Sequence, residues 1–225
     1  MYALFYKAIG FSPSKYWGTL VQNMFQNLEE KHMLIYFSDP ETQAAVEKVN
    51  FAGRIKKYDG DYLHVNNVNF AGAKSNLYVT KTIASKTTFD GDKVQREVHV
   101  EFRNPYAHSD CNLERGGLCL NATLRDWIRF YVPQGSTLVD FKGSETKTKT
   151  YDELGKTVYE GFLTVSPEGK AEVVVTYTLP ASIKKDGYKV LVQKQPGEST
   201  LKLAAEIDGA KVYDAVMAKD VELKK

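Results

Sequence analysis

The chain has 225 residues and a mass of 25.3 kDa, which suits one large domain or one domain with an appendage. Hydrophobic residues make up 43% and charged residues 26%, so the composition is globular and excludes a disordered chain. The net charge of +2 removes any strong electrostatic case for a nucleic-acid partner or an anionic membrane surface. No apolar run approaches the ~18 residues that a bilayer span needs, so no part of this sequence is expected to cross a membrane.

The first predicted element is an amphipathic helix. Ser12 and Pro13 supply an N-cap and a proline suited to the first helical turn. Apolar residues then recur every three or four positions, and we expect this stripe to pack on the body of the protein. The stripe consists of Trp17, Leu20, Val21, Met24, Phe25 and Leu28.

A short strand and a second helix are predicted next. The apolar run at 32–37 favours a strand. Asp39, Pro40 and Glu41 begin a helix by the same capping logic, and it is expected to end near Val49. The start of the chain, in which Lys7 interrupts a short apolar stretch, does not resemble a signal peptide. It suits either a cytosolic protein or a fragment of a longer exported chain.

From residue 53 onward the pattern changes to period two. A hairpin is predicted over 53–70, with its turn at Asp59 and Gly60. Seven or more alternating strands, separated by turn residues, favour an antiparallel β-sandwich of the immunoglobulin-like type. The polar segment 143–153 is expected to be an exposed loop. We therefore predict a small N-terminal α/β appendage with two helices at 1–78 and a β-sandwich domain at 79–225.

Two cysteines, Cys111 and Cys119, bracket a turn at Gly116 and Gly117, and the sequence has no others. A single close pair in a polar loop predicts a local disulfide. Such a bridge would place the protein in an oxidising compartment.

Motifs for metal binding or catalysis are weak. His108, Cys111 and Cys119 could supply three zinc ligands, but no second pair is near enough in sequence to complete a tetrahedral site. The Asp-Gly-Asp triplets at 59–61 and 90–92 lack the spaced acidic ligands of a calcium loop and suit hairpin turns. The sequence contains no phosphate loop, dinucleotide fingerprint or nucleophile elbow. We expect no metal ion, no cofactor and no catalytic activity.

Five ordered sequence blocks are less generic. They run from KHMLIYFSDPETQ through DYLHVNNVNFAGAKSNLYVTKTI, WIRFYVPQGSTL and LGKTVYEGFLTVSPEG to YKVLVQKQPG. In this order they resemble the C-terminal region of the bacterial domain-of-unknown-function 4012 family, over roughly residues 20–203. Members of that family look like membrane-anchored envelope proteins, so the resemblance implies an extracytoplasmic location and an anchor outside this chain.

The resemblance also singles out a polar loop. Among its matched positions, Asn66, Asn69, Lys74 and Asn76 form a candidate ligand-contacting loop. The alternative is that these asparagines satisfy backbone groups where the appendage meets the sandwich.

Three functions remain open at this point. The first is a non-catalytic envelope module that contacts wall polymer or other envelope proteins. The second is a substrate-recognition domain of a wall-glycopolymer phosphotransferase resembling the LytR-CpsA-Psr enzymes, which a clustered Arg and Asp pocket would favour. The third is a glycan-binding domain, which an exposed row of coplanar aromatic rings would favour.

Overall fold

The computed structural model describes Lys7 and residues 16–225. The chain divides into two compact units, Met1–Arg54 and Ile55–Lys225. The boundary lies earlier than the predicted one near residue 78. The difference arises because residues 61–69, which we assigned to the appendage, form a strand inside one of the sheets.

Residues 16–54 contain two helices, α1 (Trp17–Glu29) and α2 (Pro40–Lys48). The cap of α2 is as predicted, because Oδ2 of Asp39 accepts hydrogen bonds from the backbone N and Oγ1 of Thr42 at 2.8 and 2.6 Å. The strand predicted at 32–37 is absent, so the described part of this unit is helical rather than α/β. The predicted cap of the first helix, Ser12 and Pro13, lies outside the described residues.

Most of the apolar stripe of α1 is exposed. Only Leu28 is buried, at 3% exposure. The other members are exposed: Trp17, Leu20, Val21, Met24 and Phe25. The spacing of three or four residues identifies the apolar face of the helix. Spacing alone does not show whether another part of the protein covers that face. Within the described residues, no helix is both long enough and apolar enough to cross a bilayer.

The second unit is mainly β. Its strands are β1 (Asp61–Asn69), β2 (Thr80–Asp90), β3 (Lys93–Arg103), β4 (Leu124–Pro133), β5 (Thr137–Lys142), β6 (Lys149–Glu153), β7 (Lys156–Val165), β8 (Lys170–Thr178), β9 (Lys189–Gln193), β10 (Lys202–Ile207), β11 (Ala210–Val216) and β12 (Val221–Lys224). Short 3₁₀ turns occur at Ser75–Leu77 and Leu113–Arg115. The loop predicted at 143–153 thus contains β6, and the predicted hairpin at 53–70 is instead a lead-in segment and the single strand β1.

The strands form two six-stranded sheets, ordered β12-β9-β1-β4-β7-β6 and β11-β10-β2-β3-β8-β5. We call them the first and second sheets. Strands at corresponding positions in the two sheets are consecutive in sequence, for example β1 and β2 or β7 and β8. The chain therefore passes from one sheet to the other at most of its connections, and both sheets contribute to one apolar core.

The sheets are mixed, which corrects the antiparallel prediction. β1 pairs in parallel with β9, and β2 pairs in parallel with β10, while the other pairings are antiparallel. The arrangement is sandwich-like, but an immunoglobulin-like topology is not confirmed. Parallel partners so far apart in sequence leave no local pattern, because alternation fixes which face of a strand is buried and not which strand lies beside it.

A buried ion pair joins the two sheets. Asp61 on β1 and Arg96 on β3 are 0% and 1% exposed, and Oδ2 of Asp61 lies 2.8 Å from Nη1 of Arg96. The hydroxyl of Tyr188 donates to the same carboxylate, and Nε of Arg96 donates to Oγ of Ser85 at 2.9 Å. Burial disfavours the charge on Arg96, but Asp61 outweighs it and raises the pKa of the guanidinium. Buried charges need such pairing to be tolerated.

Replacing Asp61 by Asn should therefore destabilise the protein strongly. The change leaves Arg96 charged and unpaired in the core, which typically lowers the free energy of unfolding by about 3–5 kcal/mol. Chemical denaturation at neutral pH measures the effect. The neighbouring Asp59→Asn is the matched control, because the Asp59 side chain is fully exposed and its contact with Lys189 is 3.8 Å long. A loss no larger than the control's would show that the ion pair does not support the fold.

Candidate functional site

The two ends of the sandwich differ in their polar groups. One end contains the carboxyl end of β1 and the loop after β9, and we call it the Asn67 end. The opposite end contains the start of β7 and the loop before β9, and we call it the Lys156 end. On β1, β2 and β4, the buried charged side chains are Asp61, Lys81 and Asp126, and each lies close to the start of its strand. The charged side chains that point inward on these strands therefore lie near the strand ends, while the core between the sheets is mainly apolar.

A recess of about 220 Å³ opens between the sheets at the Asn67 end. Its apolar wall consists of Val79, Phe102 and Leu124. Polar side chains from both sheets and from the loop at 195–200 complete it: Asn67, Asn76, Lys81, Gln195, Glu198, Ser199 and Thr200. The recess is below the usual size of a drug-like pocket, so it suits one small unit of a larger ligand.

Lys81 is the cation of the recess. Its side chain is only 4% exposed, and its ammonium donates to Oδ1 of Asn67 and Oε1 of Glu198, both at 2.6 Å. The amide of Gln195 clamps the backbone of Asn67, donating to its carbonyl and accepting from its N–H at 2.9 Å each. The loop after β9 is thereby tied to β1, which holds Glu198 against Lys81.

Asp126 lies behind this cluster and is 0% exposed. Neither of its carboxylate oxygens has a hydrogen-bond partner among the described residues. Burial raises the pKa of Asp126 to about 6. Two neighbours oppose that rise in pKa, namely the side-chain amide of Asn67 and the ammonium of Lys81. Both favour the ionised carboxylate, although the amide is not placed to donate a hydrogen bond to it. An unsatisfied carboxyl in a core is costly, so it is a candidate for a functional group rather than a structural one.

The polar loop predicted from the sequence is only partly at this site. Asn76 lines the recess, and Asn69 positions it by donating from Nδ2 to Oδ1 of Asn76 at 2.9 Å. Asn66 instead accepts from Arg129 on the outer face of the first sheet, at 2.8 Å. Lys74 is exposed and lies outside the lining of the recess. The asparagines do satisfy backbone groups as well, since Oδ1 of Asn69 accepts from the N–H of Ala71 at 2.8 Å.

Sequence reasoning missed the buried members of the site. Lys81 shares the inward phase of β2 with Ile83, and Asp126 shares that of β4 with Leu124 and Ile128. A charged residue in the apolar phase of a strand is a signal that the sequence carries and that we did not use. Glu198 lies in a loop, where no periodicity could have indicated its role.

The outer face of the first sheet has an aromatic surface near the same end. The rings of Phe70 and Trp127 are 5.4 Å apart and tilted by 35°, and Phe70 is 61% exposed. The guanidinium of Arg129 lies 6.0 Å from the Trp127 ring and 5.7 Å from the Tyr131 ring. An exposed aromatic pair beside a cation is a surface on which a sugar ring can stack.

The only His–carboxylate cluster in the described part of the chain with contacts to two glutamates is at His99. Its Nδ1 lies 2.8 Å from Glu172 and its Nε2 2.9 Å from Glu97, and these glutamates raise the pKa of His99. With both ring nitrogens donating, the imidazolium has no lone pair left to accept a proton. The cluster also lies on an open sheet face, where the side chain is 39% exposed, so its geometry is that of a surface ion pair.

The predicted disulfide between Cys111 and Cys119 is present, and it indicates an oxidising, extracytoplasmic location. It closes a loop next to the Asn67 end, since Oγ of Ser75 donates to the carbonyl of Ala122 at 2.6 Å. His108 takes no part in a metal cluster: its Nδ1 lies 2.6 Å from the carbonyl of Ser109. In residues 16–225 no group of three His, Cys, Asp or Glu side chains is arranged to hold a metal ion.

Comparisons with known proteins leave the function open. No family model matches the chain, and no curated protein matches it. One similar solved structure is that of a "putative nutrient binding protein" from Legionella pneumophila subsp. pneumophila str. Philadelphia 1. It has a TM-score of 0.35 and 8% sequence identity, with 73% of this chain and 70% of that chain covered. A TM-score this low supports no inference about this chain.

The effect of burial on the Asp126 carboxyl should appear as a pH-dependent difference in stability between wild type and the Asp126→Asn variant. The folded pKa of about 6 lies above the ordinary 3.8, so the native state binds the proton more tightly than the unfolded state. Wild-type stability should fall as pH rises through this interval. The variant should exceed wild type in unfolding free energy by about 2–3 kcal/mol at pH 8, with the gap falling below about 1 kcal/mol near pH 4.

Denaturant unfolding at several pH values checks this expectation. Asp140→Asn is the control, because Asp140 is 48% exposed and pairs with Lys142 at 3.1 Å on the surface. Its difference from wild type should stay small across the range. An Asp126 gap that did not change with pH would mean that the carboxyl is not held in an environment that favours its neutral form.

Proposed function

We propose that this protein is a non-catalytic, extracytoplasmic binding module of a membrane-anchored bacterial cell-envelope protein. It contacts wall polymer or another envelope protein through the recess at the Asn67 end. The observation that carries this proposal is the recess itself, in which a buried cation, a loop carboxylate and carboxamides meet an apolar wall. Such a mixture of fixed donors and acceptors with apolar surface is typical of sites that bind rather than transform a small polar unit.

Two further observations support this proposal. The disulfide favours export. Two of the sequence blocks that resemble the domain-of-unknown-function 4012 family supply Asn67, Asn76 and Gln195 to one site. We place the proposed anchor in a segment outside this chain. Binding requires no cofactor and no metal ion here, since Lys81 already supplies the positive charge.

A ligand unit in the recess would present hydroxyl or amide groups to Asn67, Gln195 and Glu198. Hydroxyl donors suit the free lone pairs of carboxylate and carboxamide oxygens, and the carbon face of a sugar ring suits Val79 and Pro196, which are only partly buried. A neutral, hydroxylated unit is favoured over an anionic one, because Asp126 and Glu198 outnumber the single cation Lys81.

Of the two other functions, a glycan-binding domain has a specific observation in its favour. The pair formed by Phe70 and Trp127 is an exposed aromatic surface, although the 35° tilt between the rings is not coplanar. The substrate-recognition domain of a wall phosphotransferase has weaker support, because the Arg96 and Asp61 pair is sealed in the core and does not open into a pocket.

The test is co-sedimentation of the folded protein with insoluble, purified bacterial wall polymer. We expect the wild-type protein to sediment with the polymer and the Glu198→Gln variant to lose most of this binding. The substitution removes the carboxylate that lines the recess and accepts a hydrogen bond from Lys81. Glu206→Gln is the matched control, since Glu206 is 40% exposed and pairs with Lys86 on the outer face of the second sheet.

A Trp127→Ala variant separates the two binding surfaces. If Trp127→Ala abolishes sedimentation and Glu198→Gln does not, the aromatic surface is the glycan site and the recess is not. If wild type fails to sediment with wall polymer, the proposal narrows to protein partners. In that case Glu198→Gln must abolish a cross-link to an envelope protein that Glu206→Gln retains, and equal cross-linking by both variants would refute the recess as the site.

A further inference from the structure

The Lys156 end contains a larger cavity, of about 470 Å³, which the proposed function does not use. Four segments surround it: Tyr58–Gly60, Pro133–Gln134, Gly155–Lys156 and Pro180–Lys189, the last of these only in part. All belong to the second unit, and the cavity is within the size range of ordinary ligand sites.

Lys156 is the unusual residue of this cavity. The residue is 6% exposed and lines the cavity, yet none of the hydrogen bonds and ion pairs of the described residues includes its ammonium. Its one close polar contact is with a ring face, since Nζ lies 4.2 Å from the centre of the Tyr62 ring. Burial lowers the pKa of Lys156, and no neighbouring charge opposes that effect.

Comparison with Lys81 shows what is missing at Lys156. Both side chains are almost completely buried, at 4% and 6% exposure. Lys81 has a carboxylate and a carboxamide at 2.6 Å, whereas Lys156 has only the π-electrons of Tyr62. The ammonium of Lys156 therefore lacks a carboxylate to compensate for the hydration that burial removes, and the cavity that Lys156 lines is open to a ligand that could supply one.

The other charges around the cavity also favour an anion. Lys184 and Lys189 line it together with Lys156, against Asp59 and Asp186. Lys189 reaches Asp59 only at 3.8 Å, and the Asp59 side chain is fully exposed, so water screens that pair. The lining therefore has three lysines against two aspartates, a net formal charge of +1.

We propose that this cavity binds an oxyanion of the phosphate type, with Lys156 as its buried counter-charge and Lys184 and Lys189 at the rim. The oxyanion supplies the acceptor oxygens that the ammonium of Lys156 lacks, and charge-assisted hydrogen bonds of this kind are among the stronger polar contacts. The site is separate from the recess at the Asn67 end and does not depend on the proposed function.

Titration of the folded chain with inorganic phosphate tests the site, with binding followed by calorimetry. We expect saturable binding that Lys156→Met weakens by about tenfold or more, since the variant keeps the length of the side chain and removes its charge. Lys156→Arg should retain most of the binding. Lys147→Met is the matched control, because Lys147 is exposed and lies outside the cavity, and it should bind as wild type does.

A second titration, with a phosphodiester polymer such as poly(glycerol phosphate), distinguishes free phosphate from phosphate carried on a polymer. Tighter binding of the polymer, still dependent on Lys156, assigns the site to a polymer-borne group. Equal or weaker binding of the polymer assigns it to a small free anion. Because Glu198→Gln leaves this cavity intact, it should not change either titration, so failure of the recess and failure of this site are separable.

Nuclear magnetic resonance of the lysine side chains keeps the proposal testable if Lys156→Met does not fold. In the wild-type protein, the pKa of Lys156 should rise as phosphate saturates the site, because the bound anion stabilises the ammonium. An absence of saturable phosphate binding by wild type would overturn the proposal. So would binding that Lys156→Met leaves unchanged, or a Lys156 resonance that does not respond to phosphate.

Discussion

The ion pair between Asp61 and Arg96 is the contact on which the arrangement of the sheets depends. It joins the first residue of β1 to the fourth residue of β3, and so fixes one sheet against the other at a defined register. The hydroxyl of Tyr188 adds the loop before β9 to the same carboxylate. Because an apolar core tolerates a charge only when it is paired, these three elements must meet where they do.

Other features follow from that meeting point. With Asp61 fixed, β9 runs beside β1 in parallel, with Asp61 opposite Val190 and Leu63 opposite Val192. The carboxyl end of β9 then reaches the carboxyl end of β1, where Gln195 clamps Asn67. The Asp61–Arg96 ion pair lies toward the Lys156 end of the sandwich. By fixing β1 beside β9, it determines that the loop after β9 closes over the recess at the opposite end.

The same rule about buried charge gives the two ends their different chemistry. At the core pair, the two charges lie 2.8 Å apart, although Nη2 of Arg96 has no hydrogen-bond partner among the described residues. At the Asn67 end the cation Lys81 is satisfied, and the carboxyl of Asp126 behind it is not. At the Lys156 end the cation is the unsatisfied group, which favours a ligand with acceptor oxygens. Groups left without partners in a folded core are where function is expected, since they reduce stability without contributing to the fold.

The sequence predicted the local features well, because they depend on neighbours in the chain. The cap of α2 at Asp39, the disulfide and the alternation of Val98, Val100 and Phe102 in β3 are all as expected. Parallel pairing was missed, since β1 and β9 are separated by most of the domain. The apolar face of α1 was also identified from the sequence, but a periodic pattern shows which face is apolar and not what covers it.

The candidate site was predicted only in outline. The resemblance identified the polar loop at 66–76, and the structure brings Asn76 from this loop to the recess, together with Gln195 from the last of the five sequence blocks. Of the four asparagine and lysine residues named in advance, only Asn76 lines it. The residues that give the recess its charge, Lys81, Asp126 and Glu198, come from three further segments, and only the fold brings them together.

The central claim is that the recess at the Asn67 end binds a unit of the cell envelope. Mapping backbone amide shifts of the isotope-labelled protein during titration with solubilised wall fragments tests it most directly. The account predicts shifts concentrated at residues 67–81 and 193–200, including Lys81 and the Gln195 loop, with the outer face of the second sheet unchanged. Shifts confined to other surfaces, or none at saturating fragment concentration while the protein remains folded, would contradict it.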